Sequence, residues 1–301
     1  LCSRKMSLIN FIKESLPEIK ADGSDHFEYI GVNISDGSIS NKKIYYRPCL
    51  LSGSTNIFPQ GQSIYKELLK TNPNISICDY SRSNYNKQVS KRVVFTVPCD
   101  ISYDECCRII STFFNTVGFN NVQIQLLDEL DAIKSIIDMS YSPLMQLGVE
   151  CSNSGGYLAV KYYISIKDKL CQLNAYGKPQ QQVIRNLLQA NTIDINKNIE
   201  KICSNEFSPI FIGVNSDGML SEHKLYFIHR YMNRDYDLTN KMKKLINDLG
   251  ITNVISTDDV ISIIDMGLYI EGIAVSINNY NSIRLYFNRI PGQRRKKGHE
   301  M

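Results

Sequence analysis

One phrase recurs four times in this chain of 301 residues. A glycine sits in an apolar strand, a turn follows, and the next strand reads cation–apolar–tyrosine–apolar. The copies are Gly31 with Lys43-Ile44-Tyr45-Tyr46, Gly148 with Lys161-Tyr162-Tyr163-Ile164, Gly213 with Lys224-Leu225-Tyr226-Phe227, and Gly272 with Arg284-Leu285-Tyr286-Phe287. Glycine and cation stand 12, 13, 11 and 12 positions apart. Such a repeat restricts the chain to folds built from one supersecondary unit used several times. Residues i and i+2 of a strand share a face. Each copy therefore puts a cation beside a phenol on one face and apolar groups on the other.

The repeats predict strand pairs near 27–48, 144–166, 208–230 and 267–290. A fifth, degenerate pair fits near 74–98, with Arg92 in the cation position and Val94 where the tyrosine belongs. Between the pairs the apolar period becomes helical. Leu8, Ile9, Phe11 and Ile12 mark a first helix and Ile64, Tyr65, Leu68 and Leu69 the next. Ser102-Tyr103-Asp104-Glu105 reads as a capping box opening a helix with the stripe Cys106, Ile109, Ile110, Phe113, Phe114 and Val117, closed by Gly118. Val183, Ile184, Leu187 and Leu188 mark a further helix. Thr239 to Leu249 is another, closed by Gly250, and Ser256-Thr257-Asp258-Asp259 caps a short one.

Five hairpins give ten mostly antiparallel strands. The helices must bury their stripes, and the apolar residues of the cation strands supply the matching surface. The Lys/Tyr face then points away from the helices. Ten open strands would expose long edges, so closure into a barrel is expected. Clustered cations inside a barrel need an anion or water. The repeats show no matching run of acids, so the expected partner is a polyanionic ligand. A solvated sheet face could carry the same residue types; the constant order of cation then tyrosine favours the ligand.

Composition narrows the function classes. With 43% hydrophobic and 21% charged residues a globular core is expected. Residues 1–292 are expected to form a single domain. No apolar run is long enough for a membrane helix. Nine cysteines without a CxxC pair and four histidines without ligand-like spacing argue for reduced thiols in a cytoplasmic protein and against a structural zinc site. The net charge of +4 comes mostly from the tail, residues 293–301, with Arg294-Arg295-Lys296-Lys297, read as a solvated end. The rest is nearly neutral and carries no nucleic-acid motif. Motifs for nucleotide phosphates and nucleophile elbows are absent.

At KKIYYRP (42–48), VKYYISIKD (160–168), HKLYF (223–227) and SIRLYF (282–287) the chain resembles the ABBA-type aromatic prenyltransferases, and in its length and strand endings most resembles the cyanobactin-type peptide enzymes. KKIYYRP is also similar to the fungal indole-type branch. The resemblance implies an α+β fold: a ten-stranded antiparallel barrel of five αββα units with helices outside. It implies transfer of a dimethylallyl or longer prenyl group from an isoprenoid diphosphate to a nucleophilic, aromatic side chain of a peptide, or to a small aromatic metabolite. The implied diphosphate ligands are Lys43, Arg92, Lys161, Lys224 and Arg284. Tyr45, Tyr163, Tyr226 and Tyr286 would shield the allylic cation and donate to phosphate oxygens, with Arg47 as a further candidate. Val94 departs from that pattern.

These roles agree with the chemistry. Cations stabilise the charge developing on departing diphosphate, and aromatic faces attract a carbocation. The acceptor must also lose a proton. By resemblance, Glu28, three residues before Gly31, is the general base. Its even spacing with Ile30, Val32 and Ile34 would put it on the apolar face unless a bulge intervenes. Asp128-Glu129-Leu130-Asp131 and Asp258-Asp259 read as helix faces or caps rather than metal motifs. No metal ligands are expected from the protein, and Mg2+, where used, would ride on the donor's diphosphate. A binding barrel for an anionic lipid, keeping the cations without a base, is the rival reading.

Overall fold

The computed structural model describes residues 8–10, 12–13, 27–35, 37–46, 58–85, 88–136, 143–166, 199–229, 237–276 and 282–289. Arg47, the helix expected around Val183–Leu188 and the basic tail lie outside the described residues. The ten strands are β1 (Phe27–Ser35), β2 (Ser38–Tyr46), β3 (Ser76–Tyr85), β4 (Gln88–Thr96), β5 (Leu144–Ser152), β6 (Tyr157–Ser165), β7 (Phe207–Ser216), β8 (Ser221–His229), β9 (Leu268–Ser276) and β10 (Ser282–Arg289). Every strand pairs antiparallel with its sequence neighbours, and β1 pairs with β10, so the sheet closes into a barrel. Closure removes the edges that ten open strands would leave unpaired.

Helices cover the outside: α1 (Pro59–Thr71), α2 (Tyr103–Val117), α3 (Asn120–Ile136), α4 (Leu238–Leu249) and α5 (Thr257–Asp265). The apolar stripe of α2 is buried as the periodicity predicts, and Gly118 ends the helix in the left-handed conformation. Its capping box is only half formed. The Ser102 hydroxyl accepts from the Glu105 N–H at 3.2 Å, but the Glu105 carboxylate turns to accept from Asn72 Nδ2 at 2.7 Å, tying α1 to α2. The box of Ser256 and Asp259 is complete.

One hydrophobic core lies between barrel wall and helices. Ile30, Val32, Val93, Phe95, Tyr162, Ile164, Leu225, Phe227, Leu285 and Phe287 meet Ile64, Leu68, Ile109, Phe113, Met242 and Ile263 there. Burying these side chains outward leaves their strand neighbours i±1 facing the lumen. Within the wall, Glu129 of α3 accepts from the Tyr162 hydroxyl at 3.0 Å and meets His223 Nε2 at 2.9 Å. Glu129 thus docks a helix, as expected of that acidic stretch.

The ladders carry a fivefold irregularity. A bulge leaves one extra residue at Glu28, Cys78, Met145, Ile210 and Glu271. Each stands three residues before the residue that faces a cation across its own hairpin: Gly31, Ser81, Gly148, Gly213 and Ala274. All five are small. In the last unit Ala274, not Gly272, faces Arg284; Gly272 lies two places on, opposite Tyr286. The four repeated glycines are therefore equivalent in three hairpins and displaced in the fourth.

Candidate active site

The register stacks the lumen in layers. Nearest the hairpin turns are small polar groups: Asn33, Ser35 and Ser282 hydrogen-bond one another at 3.2–3.4 Å. One step in lies the cation layer. Lys43, Arg92, Lys161 and Lys224 are all buried, at 5–8% exposure, and Arg284 is half-buried beside them. The expected cations thus converge inside the cylinder rather than pointing into solvent.

Two residues further along the same strands come the rings. Tyr163 and Tyr226 lie 5.6 Å apart, Tyr226 and Tyr286 6.1 Å, and Tyr286 and Tyr45 5.9 Å. Tyr29 joins at 4.4 Å from Tyr45, and Phe211 at 4.7 Å from Tyr226. The sequence carries a signal for both additions, since each stands two residues before a repeat glycine. Val94 takes the fifth ring's place, so the aromatic wall runs from β6 through β8 and β10 to β2 and is aliphatic at β4. Arg92 stands 4.8 Å over the Tyr45 ring, linking the two layers.

Small residues make this packing feasible. A Cβ on Gly213 would stand 2.6 Å from Tyr226 Cε2 and 2.9 Å from the Tyr163 ring; one on Gly31 would stand 2.8 Å from Tyr45 Cε2. The glycines are the floor on which the rings lie flat.

The repeats carry no run of acids, but single carboxylates do stand among the cations. Glu150, two residues after Gly148, lies inside the cation layer with its Oε2 at 3.3 Å from Lys161 Nζ and 3.4 Å from Lys43 Nζ. Its other oxygen accepts from the Ser90 hydroxyl. At the turn end Glu222 pairs with Lys224 at 3.0 Å. A reading confined to cation strands misses Glu150 because it sits on the glycine strand of its hairpin.

The charges perturb one another. Burial pushes the Glu150 carboxyl up, but Lys161, Lys43, the Ser90 hydroxyl and Arg92 outweigh it and hold the group well below the usual carboxylate range. Burial, together with Lys43, Arg92 and Arg284, holds Lys161 well below an ordinary lysine despite Glu150. Burial and Arg284 bring Lys224 down to about 8 against the pull of Glu222. Burial and neighbouring phenols push Tyr226 and Tyr286 up, so both remain protonated donors. The Tyr45 hydroxyl is buried with no hydrogen-bond partner among the described residues.

Beyond the rings, at the end away from the hairpin turns, stands a second carboxylate. Glu271 occupies the β9 bulge, accepts from Asn288 Nδ2 at 2.6 Å and also takes a hydrogen bond from the Tyr269 hydroxyl. Asn288 follows Arg284 and Tyr286 on the lumen face and pairs with Tyr269. Glu28 occupies the equivalent bulge of β1, which is the irregularity its spacing required; its side chain lies outside the described residues. His229 packs edge-on against Phe207 at 5.0 Å and lies 3.7 Å from the Glu206 carboxylate. Among the described residues no three His, Cys, Asp or Glu side chains converge as metal ligands, and no helix is long and apolar enough to cross a membrane.

This architecture is the ABBA, or prenyltransferase-barrel, fold. Among solved structures the chain is similar to the ABBA-type aromatic prenyltransferase NotF, in its complex with brevianamide F and DMSPP. The TM-score is 0.54 at 13% identity, over 88% of this chain and 80% of NotF. No family model matches the sequence, and neither does any curated protein.

Proposed function

We propose that this protein is a prenyltransferase moving a dimethylallyl or longer group from its diphosphate to an aromatic nucleophile. One observation carries this reading: inside a closed barrel, a layer of five cations lies directly on a layer of tyrosines. Neither layer alone is distinctive. Stacked, they match the two ends of an allylic diphosphate as it ionises. The C1–O bond breaks and its electron pair leaves on diphosphate, whose growing charge Lys43, Arg92, Lys161, Lys224 and Arg284 stabilise. The allylic cation forms against Tyr45, Tyr163, Tyr226 and Tyr286, whose faces attract it and whose rings exclude water. NotF, one structural neighbour, was solved with DMSPP and brevianamide F, which supports a donor diphosphate and an aromatic acceptor in the same barrel.

The acceptor carbon then bonds to C1 and sheds its proton. The Glu271 carboxylate stands at a bulge on the ring side of the lumen, and Glu28 occupies the equivalent bulge position of β1. The acceptor enters from that end, so either can take the proton. Arg47, two residues beyond Tyr45, remains a proposed contributor to the donor site. The cation layer suits a diphosphate rather than a bare metal ion. Mg2+, where it is used, would be carried on donor oxygens and would further neutralise the leaving group.

The acceptor is an aromatic side chain of a peptide or a free aromatic metabolite. The test is mass spectrometry of the protein mixed with a panel of prenyl diphosphates and a library of peptides, free amino acids, indoles and phenols. Prenylated product with diphosphate release is expected, and the library member consumed identifies the acceptor class. Donor binding without product from any acceptor would favour a lipid-binding barrel.

A further inference from the structure

Two departures from the fivefold pattern, one in the cation layer and one in the ring layer, fall in the same sector. Across the wall, each cation pairs with a polar residue of the next hairpin: Lys43 with Ser83, Lys161 with Asn215, Lys224 with Ser276 and Arg284 with Asn33. These four partners are neutral. Arg92 alone pairs with an acid, Glu150. The same strand β4 carries Val94 in place of the ring. The β4–β5 sector therefore has an anion where the others have an amide or hydroxyl, and an aliphatic group where the others have a phenol.

We infer that Glu150 is a built-in counter-anion that fills the Lys43–Lys161 side of the cation layer and so directs a donor diphosphate to the Arg284–Lys224 side. The inference rests on the donor reading above and goes beyond it by making Glu150 a positioning residue. Glu150 is only 15% exposed and is tied to two lysines and Ser90, so it is neither screened nor easily displaced. A phosphate group placed there would meet a fixed like charge in a medium of low dielectric. On the opposite side Lys224 pairs with Glu222, which is 39% exposed at the turn end, where water screens it. Beneath Lys224 and Arg284 lie Tyr226 and Tyr286, stacked with their planes 28° apart. A diphosphate docked there sets its C1 atom against the rings. Docked on β4–β5 it would set C1 against Val94.

Calorimetric titration of dimethylallyl diphosphate, without acceptor, tests this. Wild-type protein is compared with Glu150→Gln, Lys43→Met, Lys224→Met and Arg284→Met, each checked for its melting temperature. Arg284→Met and Lys224→Met are expected to weaken binding by about tenfold or more; Lys43→Met, whose charge within the layer is already offset by Glu150, by about threefold at most. Glu150→Gln is expected to tighten binding by about tenfold, because a like charge leaves the site. A Lys43→Met loss equal to that of Arg284→Met, or no tightening in Glu150→Gln, overturns the inference and leaves the donor reading standing. Absence of binding to the wild type overturns both. Should Glu150→Gln fail to fold, the Lys43→Met and Arg284→Met comparison decides alone.

Discussion

The ring of Tyr226 lies flat over Gly213, so close that a Cβ on the glycine would stand 2.6 Å from Cε2. The same glycine faces Lys224 across its hairpin and Tyr163 on the other side. It is the point where both layers of the lumen meet the backbone. Gly213→Ala must displace two packed rings, an overpacking that costs about 1–3 kcal/mol. The expected outcome is a folded barrel with a lowered melting temperature and a larger fall in turnover than in stability. Unchanged turnover would show that the rings do not need that floor.

Glu150 couples folding to acid. Its carboxyl lies well below the ordinary range in the folded chain. A depressed carboxyl contributes stability that is fully present above its unfolded value, near 4.3, and is lost as pH falls towards the folded value. Urea unfolding followed from pH 6 down to pH 3 is expected to show a progressive loss that Glu150→Gln lacks. At neutral pH that variant begins about 3 kcal/mol less stable, because the buried lysines lose their partner. Parallel acid profiles for the two proteins would contradict this account.

Lys224 gives the donor site an alkaline limit. It titrates at about 8 in the free protein. An anion bound beside it favours the charged form, so above that pH binding must take up a proton. The affinity for dimethylallyl diphosphate is therefore expected to fall above pH 8, by up to about tenfold per pH unit from this group. In the free protein the sign is opposite: stability rises with pH between about 8 and 10.5, where the unfolded chain holds more protons. Fluorescence titration from pH 7 to pH 10 should show a steeper decline for the wild type than for Lys224→Met.

Glu271 should separate chemistry from donor binding. Held by Asn288 and Tyr269, it lies on the far side of the rings from the cations. If it takes the acceptor's proton, Glu271→Gln lowers kcat by about 100-fold while dimethylallyl diphosphate binds as before. The same measurement on Glu28→Gln tells which bulge carries the base. Full turnover in Glu271→Gln would leave that role to Glu28.

Much of this protein was legible without coordinates. The four period-two copies of Lys/Arg-x-Tyr, with the degenerate Arg92-x-Val94 copy, marked the five hairpins and so the ten strands. The stripe from Cys106 to Val117 gave a helix that the structure reproduces residue for residue. Even the missing phenol at Val94 was visible, because alternation in a strand is a local property of the backbone and each copy reports its own face.

What stayed hidden depends on neighbours far apart in the chain. Lys43 and Glu150 meet only because β2 and β5 curve round one lumen, so the counter-anion could not be read from either strand. The register shifts at Glu28 and Glu271 follow from the stagger of a closed barrel. The placement of Ala274 rather than Gly272 opposite Arg284 is a matter of register. The sequence by itself set which side chains share a face of each hairpin, through local sterics and hydrophobic period. The tertiary structure decided which of those faces meet, because closing ten strands brings five distant hairpins to one axis and makes their charges each other's environment.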